Sequence, residues 1–270
     1  VHRTFAGKVF PSILAAMMRL AELDRWFSEL LDIRAVEGVD PGRNGLQVSR
    51  RAQEVSKVAF AVDACSESFR RAAEQGADLL FVHHGLLWGE SLCLTGTFYE
   101  RVRFLVEHDL ALYAAHLPLD MHPEVGNNAG IARRLGLVDI APFGSWKGLR
   151  IGLKGRLPSP VPLDQVAAAL AGPEAAPIRT LPFGPAEVRT AGVISGGAPW
   201  EALQAIEEGL DCYVTGEAAH GIYHHCLEAG ISVMFAGHYH SETFGVRLLA
   251  ERLAADTGLE TTYLDIPTGL

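Results

Sequence analysis

Three things are scarce in this chain of 270 residues: cysteine, blocks of positive charge, and long hydrophobic runs. The four cysteines, Cys65, Cys93, Cys212 and Cys226, are scattered and form no Cys-x-x-Cys, so they read as reduced, partly buried thiols of a cytoplasmic protein. No Lys/Arg block occurs and the formal net charge is −9, which argues against a nucleic-acid-binding surface. No stretch is long enough to span a membrane, and no phosphate-binding P-loop is present. What the chain does have is apolar content: 49% of its residues are hydrophobic, enough to bury a sizeable core. Arg3 and Lys8 precede an apolar patch, Val9 to Met18, without a convincing cleavage site. Residues 1–16 are therefore read as a disordered or start-site extension, and the folded part is taken to begin after residue 18.

The stretch that organises the rest is Phe81-Val82-His83-His84-Gly85. An apolar run from Leu79 leads straight into two histidines, as at the C-terminal end of a buried parallel strand, where open α/β sheets place their ligand sites. Neighbouring strand residues point to opposite faces, so the two imidazoles share a site only if the strand ends or bends, which Gly85 would permit.

Around this stretch the pattern alternates strands and helices. Helical spacing covers Arg19 to Asp32, a strand Val55 to Val62, a helix Ser66 to Gln75, and a strand Leu110 to Ala115. Residues 137–188 are rich in proline and read as short strands and connections around one helix, Leu163 to Leu170. Strands then end at Ser195, Thr215 and Ala236, and the last helix spans Phe244 to Ala255. The two halves repeat. Val55 to His84 reads strand, turn, helix, Gly-Ala-Asp, strand, polar pair; Val188 to Glu217 reads strand, Ser-Gly-Gly turn, helix, Gly-Leu-Asp, strand, polar pair. One half then ends in His116-x-x-x-Asp120 and the other in His238-x-x-x-Glu242. The expected fold class is α/β: two similar units from an internal duplication, with mainly parallel sheets flanked by helices. The units are drawn at 19–136 and 137–236, with 237–270 returning ligands to a shared site.

If the strand ends converge, they offer His83, His84, His116, Asp120, His238 and Glu242. This mixed nitrogen and oxygen set suits Zn, Mn, Fe or Co. Two carboxylates suffice to bridge a pair of ions, which would lower the pKa of water for metal-assisted hydrolysis. Each residue has a plainer reading: His116 as a capping or supporting residue, Asp120 as a turn residue, Glu242 as a first-turn helix acid. His122, His220, His224, His225 and His240 are read as non-ligands, and Glu217 as a candidate to face the same cleft. Ser195-Gly196-Gly197 is read as a plain strand-to-helix turn, with anion binding at a helix N-terminus as the alternative.

The ordered set Asn44-Gly45-Leu46-Gln47-Val48, His83-His84-Gly85, Trp88-Gly89-Glu90-Ser91, His116-Leu117-Pro118-Leu119-Asp120, Gly126-Asn127-Asn128, Thr215-Gly216-Glu217 and Gly237-His238 to Glu242 resembles the NIF-three-like dinuclear-metal proteins, also named GTP cyclohydrolase I type 2 homologues. The resemblance covers about Arg19 to the C-terminus and looks like a short bacterial branch without an inserted domain. It implies two similar α/β domains, a ring-shaped homohexamer and two divalent transition-metal ions facing the ring's interior. The ligands it implies are His83, His84, Asp120, His238 and Glu242, with Glu242 the bridge and His116 a non-ligand lining position. Gly85 and Ser241 stand where many members have Pro and Thr. The expected function is a metal-dependent hydrolase of a small nucleotide-like or cyclic-amide substrate; the alternative is a non-enzymatic, metal-handling hexameric scaffold.

Overall fold

The computed structural model describes residues 16–89, 93–171 and 178–270. Most of the N-terminal extension, Glu90 and Ser91 of the Trp88-Gly89-Glu90-Ser91 motif, and Pro173 and Pro177 lie outside the described residues. In chain order the main elements are α1 (Leu20–Leu30), β1 (Gly45–Val48), β2 (Lys57–Asp63), α2 (Ser66–Glu74), β3 (Leu79–His84), α3 (Gly96–Glu107), β4 (Ala111–Ala114), α4 (Leu117–Met121) and α5 (Asn127–Leu135). Next come β5 (Val138–Trp146), β6 (Leu149–Pro162), α6 (Leu163–Ala171), β7 (Arg179–Pro182), β8 (Glu187–Val193), α7 (Ala202–Glu207) and β9 (Cys212–Thr215). The chain closes with α8 (Tyr223–Ala229), β10 (Ser232–Phe235), α9 (His238–Ser241), α10 (Thr243–Thr257) and β11 (Glu260–Tyr263).

The strands form two main sheets. The first has the order β11-β2-β3-β4-β1, parallel except where β1 runs against β4. The second has the order β5-β6-β8-β9-β10-β7, with β8, β9 and β10 parallel and the outer pairings antiparallel. The α/β class and the duplication are visible in the shared core of the two: β2-β3-β4 in one and β8-β9-β10 in the other, consecutive parallel strands joined through helices.

Side-chain alternation along these strands builds a core on both faces. In the first sheet Phe60, Phe81 and Tyr113 face α1 and α10, packing with Phe27 and Leu249, while Ala61, Leu80, Val82 and Leu112 face α2 and α3, packing with Phe69 and Leu105. Phe27 lies 4.9 Å from Phe81 and 4.8 Å from Tyr113, ring centre to ring centre. The Gly-x-Asp of each repeat plays a matching part. Asp78, just ahead of β3, accepts the N–H groups of Ser56 and Lys57 at the start of β2, and Asp211, just ahead of β9, accepts those of Arg189 and Thr190 on β8. Each carboxylate so ties the start of one parallel strand to the next.

The proline-rich region departs from the sequence expectation. The expected helix is there as α6 and a short strand as β7, but residues 138–162 form a long antiparallel hairpin, β5 with β6, instead of short strands. Prolines are accommodated at edges and bulges. Pro142 sits on the edge strand β5, and the register between β6 and β8 shifts across the segment that holds Pro158 and Pro160. The segments after β4 and β10, which the sequence pattern leaves unassigned, are single helical turns, α4 and α9.

Candidate metal centre

The centre lies at the C-terminal ends of the parallel strands of both sheets. His83 and His84 end β3, and their rings are 4.6 Å apart although strand alternation assigns them opposite faces. Each is drawn by a different neighbour: Nδ1 of His83 donates to the Ala115 carbonyl beyond β4 (3.0 Å), and Nδ1 of His84 donates to Asp63 at the end of β2 (2.8 Å). The two Nε2 atoms then meet at the strand tip. Gly85 contributes space more than backbone freedom, because a Cβ there would lie 2.4 Å from the Gln47 amide and 2.6 Å from Ala114 Cβ. Gln47 Oε1 in turn accepts the N–H groups of Leu86 and Leu87 and fixes the loop behind the histidines.

The His-x-x-x-carboxylate repeats acquire their meaning from α4 and α9. Residues four apart in a helical turn share a face, so His238 Nε2 comes within 3.2 Å of Glu242 Oε1. The same turn follows His116, where the Asp120 N–H donates to the His116 carbonyl. Glu242, almost wholly buried, lies 3.4 Å from His83 Nε2 and 3.2 Å from His84 Nε2 as well. Asp120 Oδ1 is 3.6 Å from His83 Nε2. Two triads result, His84/His238/Glu242 and His83/Asp120/Glu242, sharing one carboxylate; His83, His84 and His116 form a third group.

The five residues His83, His84, Asp120, His238 and Glu242 are thus brought together. Around them is a supporting layer. Nδ1 of His238 donates to Glu217 (2.6 Å), so Glu217 does face the cleft. Nδ1 of His116 donates to Asp40 (2.8 Å). Asp120 Oδ1 accepts from Ser195 Oγ (2.9 Å) and Asn127 Nδ2 (2.8 Å). Asn128 bridges the Asp120 carbonyl, the Ile151 carbonyl and the Ser195 N–H. This layer joins the two sheets at the site and accounts for the Gly-Asn-Asn sequence. The backbone N–H groups of Ser195 and Gly196 are taken by Asn128 and Ser241, so this turn is a structural one. Ser241 Oγ also donates to the His238 carbonyl. Gly196, at φ +65°, passes so close to Glu242 that a Cβ would meet Oε1 at 2.3 Å.

Among the described residues the other histidines are engaged elsewhere or exposed. Nδ1 of His122 accepts from the Glu124 and Val125 N–H groups, Nε2 of His240 faces the Leu170 carbonyl, and His220, His224 and His225 are exposed.

Burial would lower the pKa of His84, but its bond to Asp63 and the neighbouring Glu242 carboxylate raise it to about 10. The hydrogen bond to Glu242, opposed by burial, raises His238 to about 9. Burial would raise Glu242, yet the surrounding His83, His238 and His84 hold it well below the usual carboxylate range. His83 Nε2 and Glu242 Oε2 are buried without a hydrogen-bond partner. Unpaired buried polar atoms are costly. With every imidazole fixed through Nδ1 and turned inward through Nε2, the arrangement is the one metal-ligating histidines adopt. The residues fit divalent transition metals.

The sequence matches the Duf34/NIF3 (NGG1p interacting factor 3) family over residues 18–268. The chain belongs to this family. A relative from Treponema pallidum named "GTP cyclohydrolase 1 type 2 homolog" is 43% identical, covering 94% of this chain and 100% of its own length. One of the same name from Deinococcus radiodurans is 45% identical over 92% of this chain and 94% of its own length. Among solved structures, TTHA1606 from Thermus thermophilus superposes with a TM-score of 0.85 at 41% identity, covering 94% of this chain and 100% of that one.

The residues that sequence reading passes over are Asp40 and Asp63, and Ser195, read there only as part of a turn, proves to hold Asp120. Asp63 carries a weak signal, a carboxylate ending a strand next to the histidine strand. Asp40 lies 76 residues from the imidazole it holds, and nothing in the spacing pairs them.

Proposed function

We propose that this protein is a dinuclear-metal hydrolase acting on a small nucleotide-like or cyclic-amide substrate. The observation that carries the reading is Glu242. One carboxylate within 3.2–3.4 Å of three imidazole nitrogens belonging to two triads is placed to bridge two ions. Ions held there, of the Zn, Fe, Mn or Co type, would supply Lewis-acid polarisation and a water of lowered pKa. His83 and Asp120 would hold one ion, His84 and His238 the other, with Glu242 shared. Asp63, Glu217 and the Ala115 carbonyl keep the imidazoles in the Nδ1–H tautomer, which leaves Nε2 free. Ser195 and Asn127 fix the Asp120 carboxylate.

Outside the cluster a cavity of about 290 Å³ opens past His84, His238 and Glu217, walled by Val62, Tyr239, Thr268 and Leu270. That volume admits a small molecule. The curated relatives carry the name "GTP cyclohydrolase 1 type 2 homolog", and GTP is the first substrate to try. The same reading carries the homohexameric ring, which rests on the family resemblance, the cytoplasmic setting, which rests on the scattered cysteines, and the division into units 19–136 and 137–236 with a returning segment 237–270, which rests on the sequence repeat.

The test is turnover by metal-loaded protein against GTP and a panel of phosphoesters and cyclic amides, in the native chain and in Asp120→Ala and Glu242→Ala. Activity abolished in both variants supports the reading; activity that survives both substitutions refutes it. Stoichiometric metal without turnover on any substrate would favour the metal-handling scaffold.

A further inference from the structure

We propose that His116 is itself a metal ligand, forming with His83 and His84 a three-imidazole seat for a single nitrogen-preferring ion such as Zn²⁺ or Co²⁺. This rests on the reading that His83 and His84 bind metal, and it departs from the non-ligand role that family likeness assigns to His116.

Three observations carry it. The first is placement. One ring nitrogen from each of His83, His84 and His116 lies within 4.8 Å of the other two. Three atoms so spaced can be reached from one point at most about 2.8 Å from each, so movements below about 1 Å bring all three to a Zn–N distance of about 2.0–2.1 Å.

The second is how His116 is held. Its partner Asp40 has a fully buried side chain. Asp40 Oδ1 accepts from the Gly42 N–H and from His116 Nδ1, and Oδ2 accepts from Asn44 Nδ2 and the Leu117 N–H. Asn44 Oδ1 also accepts the His116 N–H. The imidazole is therefore locked with Nδ1 engaged by a carboxylate, the support a ligating histidine receives. His84 has it from Asp63 and His238 from Glu217. A capping residue needs no such support, and the His116 side chain makes no cap bond to α4.

The third is the duplication. His116 and Asp120 stand in the first unit where His238 and Glu242 stand in the second: each histidine follows the third parallel strand and opens a single helical turn ending in a carboxylate. His238 belongs to a candidate triad by this geometry, and His116 is its copy.

The seat borrows His83 and His84 from both carboxylate-bearing triads, so it excludes full two-ion loading. The centre would hold two ions through Asp120 and Glu242, or one ion through three imidazoles.

Co²⁺ binding, read by visible absorption and by chelator competition, tests this. Asp120→Ala/Glu242→Ala removes both carboxylates; we expect it to bind one Co²⁺ per chain, and the added His116→Ala to weaken that site by about 100-fold or more. Failure of a folded double variant to bind, or equal binding with and without His116, overturns the proposal. A second measurement does not depend on that variant folding. X-ray absorption of the native chain with one equivalent of Zn²⁺ should count three imidazoles, and His116→Ala two; an unchanged count overturns the proposal. A native chain that takes up no metal refutes the whole metal reading, whereas normal uptake indifferent to His116 refutes only this one.

Discussion

Gly196→Ala is the sharpest probe of the centre. Two costs follow from the structure. The residue has φ +65°, where a Cβ costs about 1–2 kcal/mol. The new Cβ also lands 2.3 Å from Glu242 Oε1, so the shared carboxylate has to move. Gly209 separates the two. It has φ +66° and nothing within 4 Å of where an added Cβ would sit, so Gly209→Ala carries the backbone cost alone. In the metal-free protein Gly209→Ala should lose about 1–2 kcal/mol of unfolding free energy, and Gly196→Ala at least as much, since it also displaces the buried Glu242 carboxylate. Only Gly196→Ala should lose metal affinity, by about 10–100-fold, equivalent to about 1.4–2.7 kcal/mol. Urea denaturation of the stripped proteins gives the first quantity and chelator competition the second. Native metal affinity in Gly196→Ala would mean that Glu242 is not needed where the structure puts it, and the shared-carboxylate argument would fall.

Three further outcomes are expected. Glu217→Ala leaves His238 Nδ1 without its acceptor and should weaken the ion held by His84, His238 and Glu242 by about 10–100-fold in calorimetric titration, with the unfolding midpoint of the stripped protein little changed. Asn128→Ala strands the Asp120 and Ile151 carbonyls and the Ser195 N–H in the interior and should cost on the order of 3 kcal/mol in denaturant unfolding; a loss below about 1 kcal/mol would contradict the role given to that side chain. Burial would raise the Asp78 carboxyl, but bonds from Ser56, Arg50 and Lys57 lower it below 3.8. A depressed folded pKa contributes stability above the unfolded value and loses it as pH falls through the folded one. The stability gap between the native chain and Asp78→Ala should therefore be full at pH 7 and shrink below about pH 4.

The sequence pattern is most legible where one force dominates. The buried runs of β2, β3, β4, β9 and β10 are apolar because helices cover both sheet faces, and an apolar run is readable without knowing its partners. Of the five candidate ligands, His83, His84 and His238 are legible because they sit at or just past the point where such a run stops, and Asp120 and Glu242 through the repeated His-x-x-x-carboxylate spacing. Less legible is everything decided by pairing. The hairpin of β5 and β6 carries prolines at an edge and a bulge, and only the neighbouring strands reveal those positions as tolerant. Asp40 and Asp63 look like ordinary loop and strand-end acids until the imidazoles they hold are in place. Gly85 reads as a hinge in the sequence, whereas its neighbours Gln47 and Ala114 make it a matter of room.

The unequal lengths of the two repeated carboxylates explain why a duplicated unit yields a single shared centre. Asp120 is short and is held by Ser195 Oγ and Asn127 Nδ2 on the same oxygen that faces His83, so its reach ends with that one imidazole. Glu242, one methylene longer and placed between the strand ends, touches His83, His84 and His238. Shortening the second to match the first should break the asymmetry. In Glu242→Asp the carboxylate retreats toward α9, away from β3, and keeps its contact with His238 in preference to those with His83 and His84. Stoichiometry measured by elemental analysis after equilibration with Zn²⁺ should fall from two ions to one, with charge and fold retained. A Glu242→Asp protein that still holds two ions at native affinity would show that the span of this side chain is not what joins the two triads.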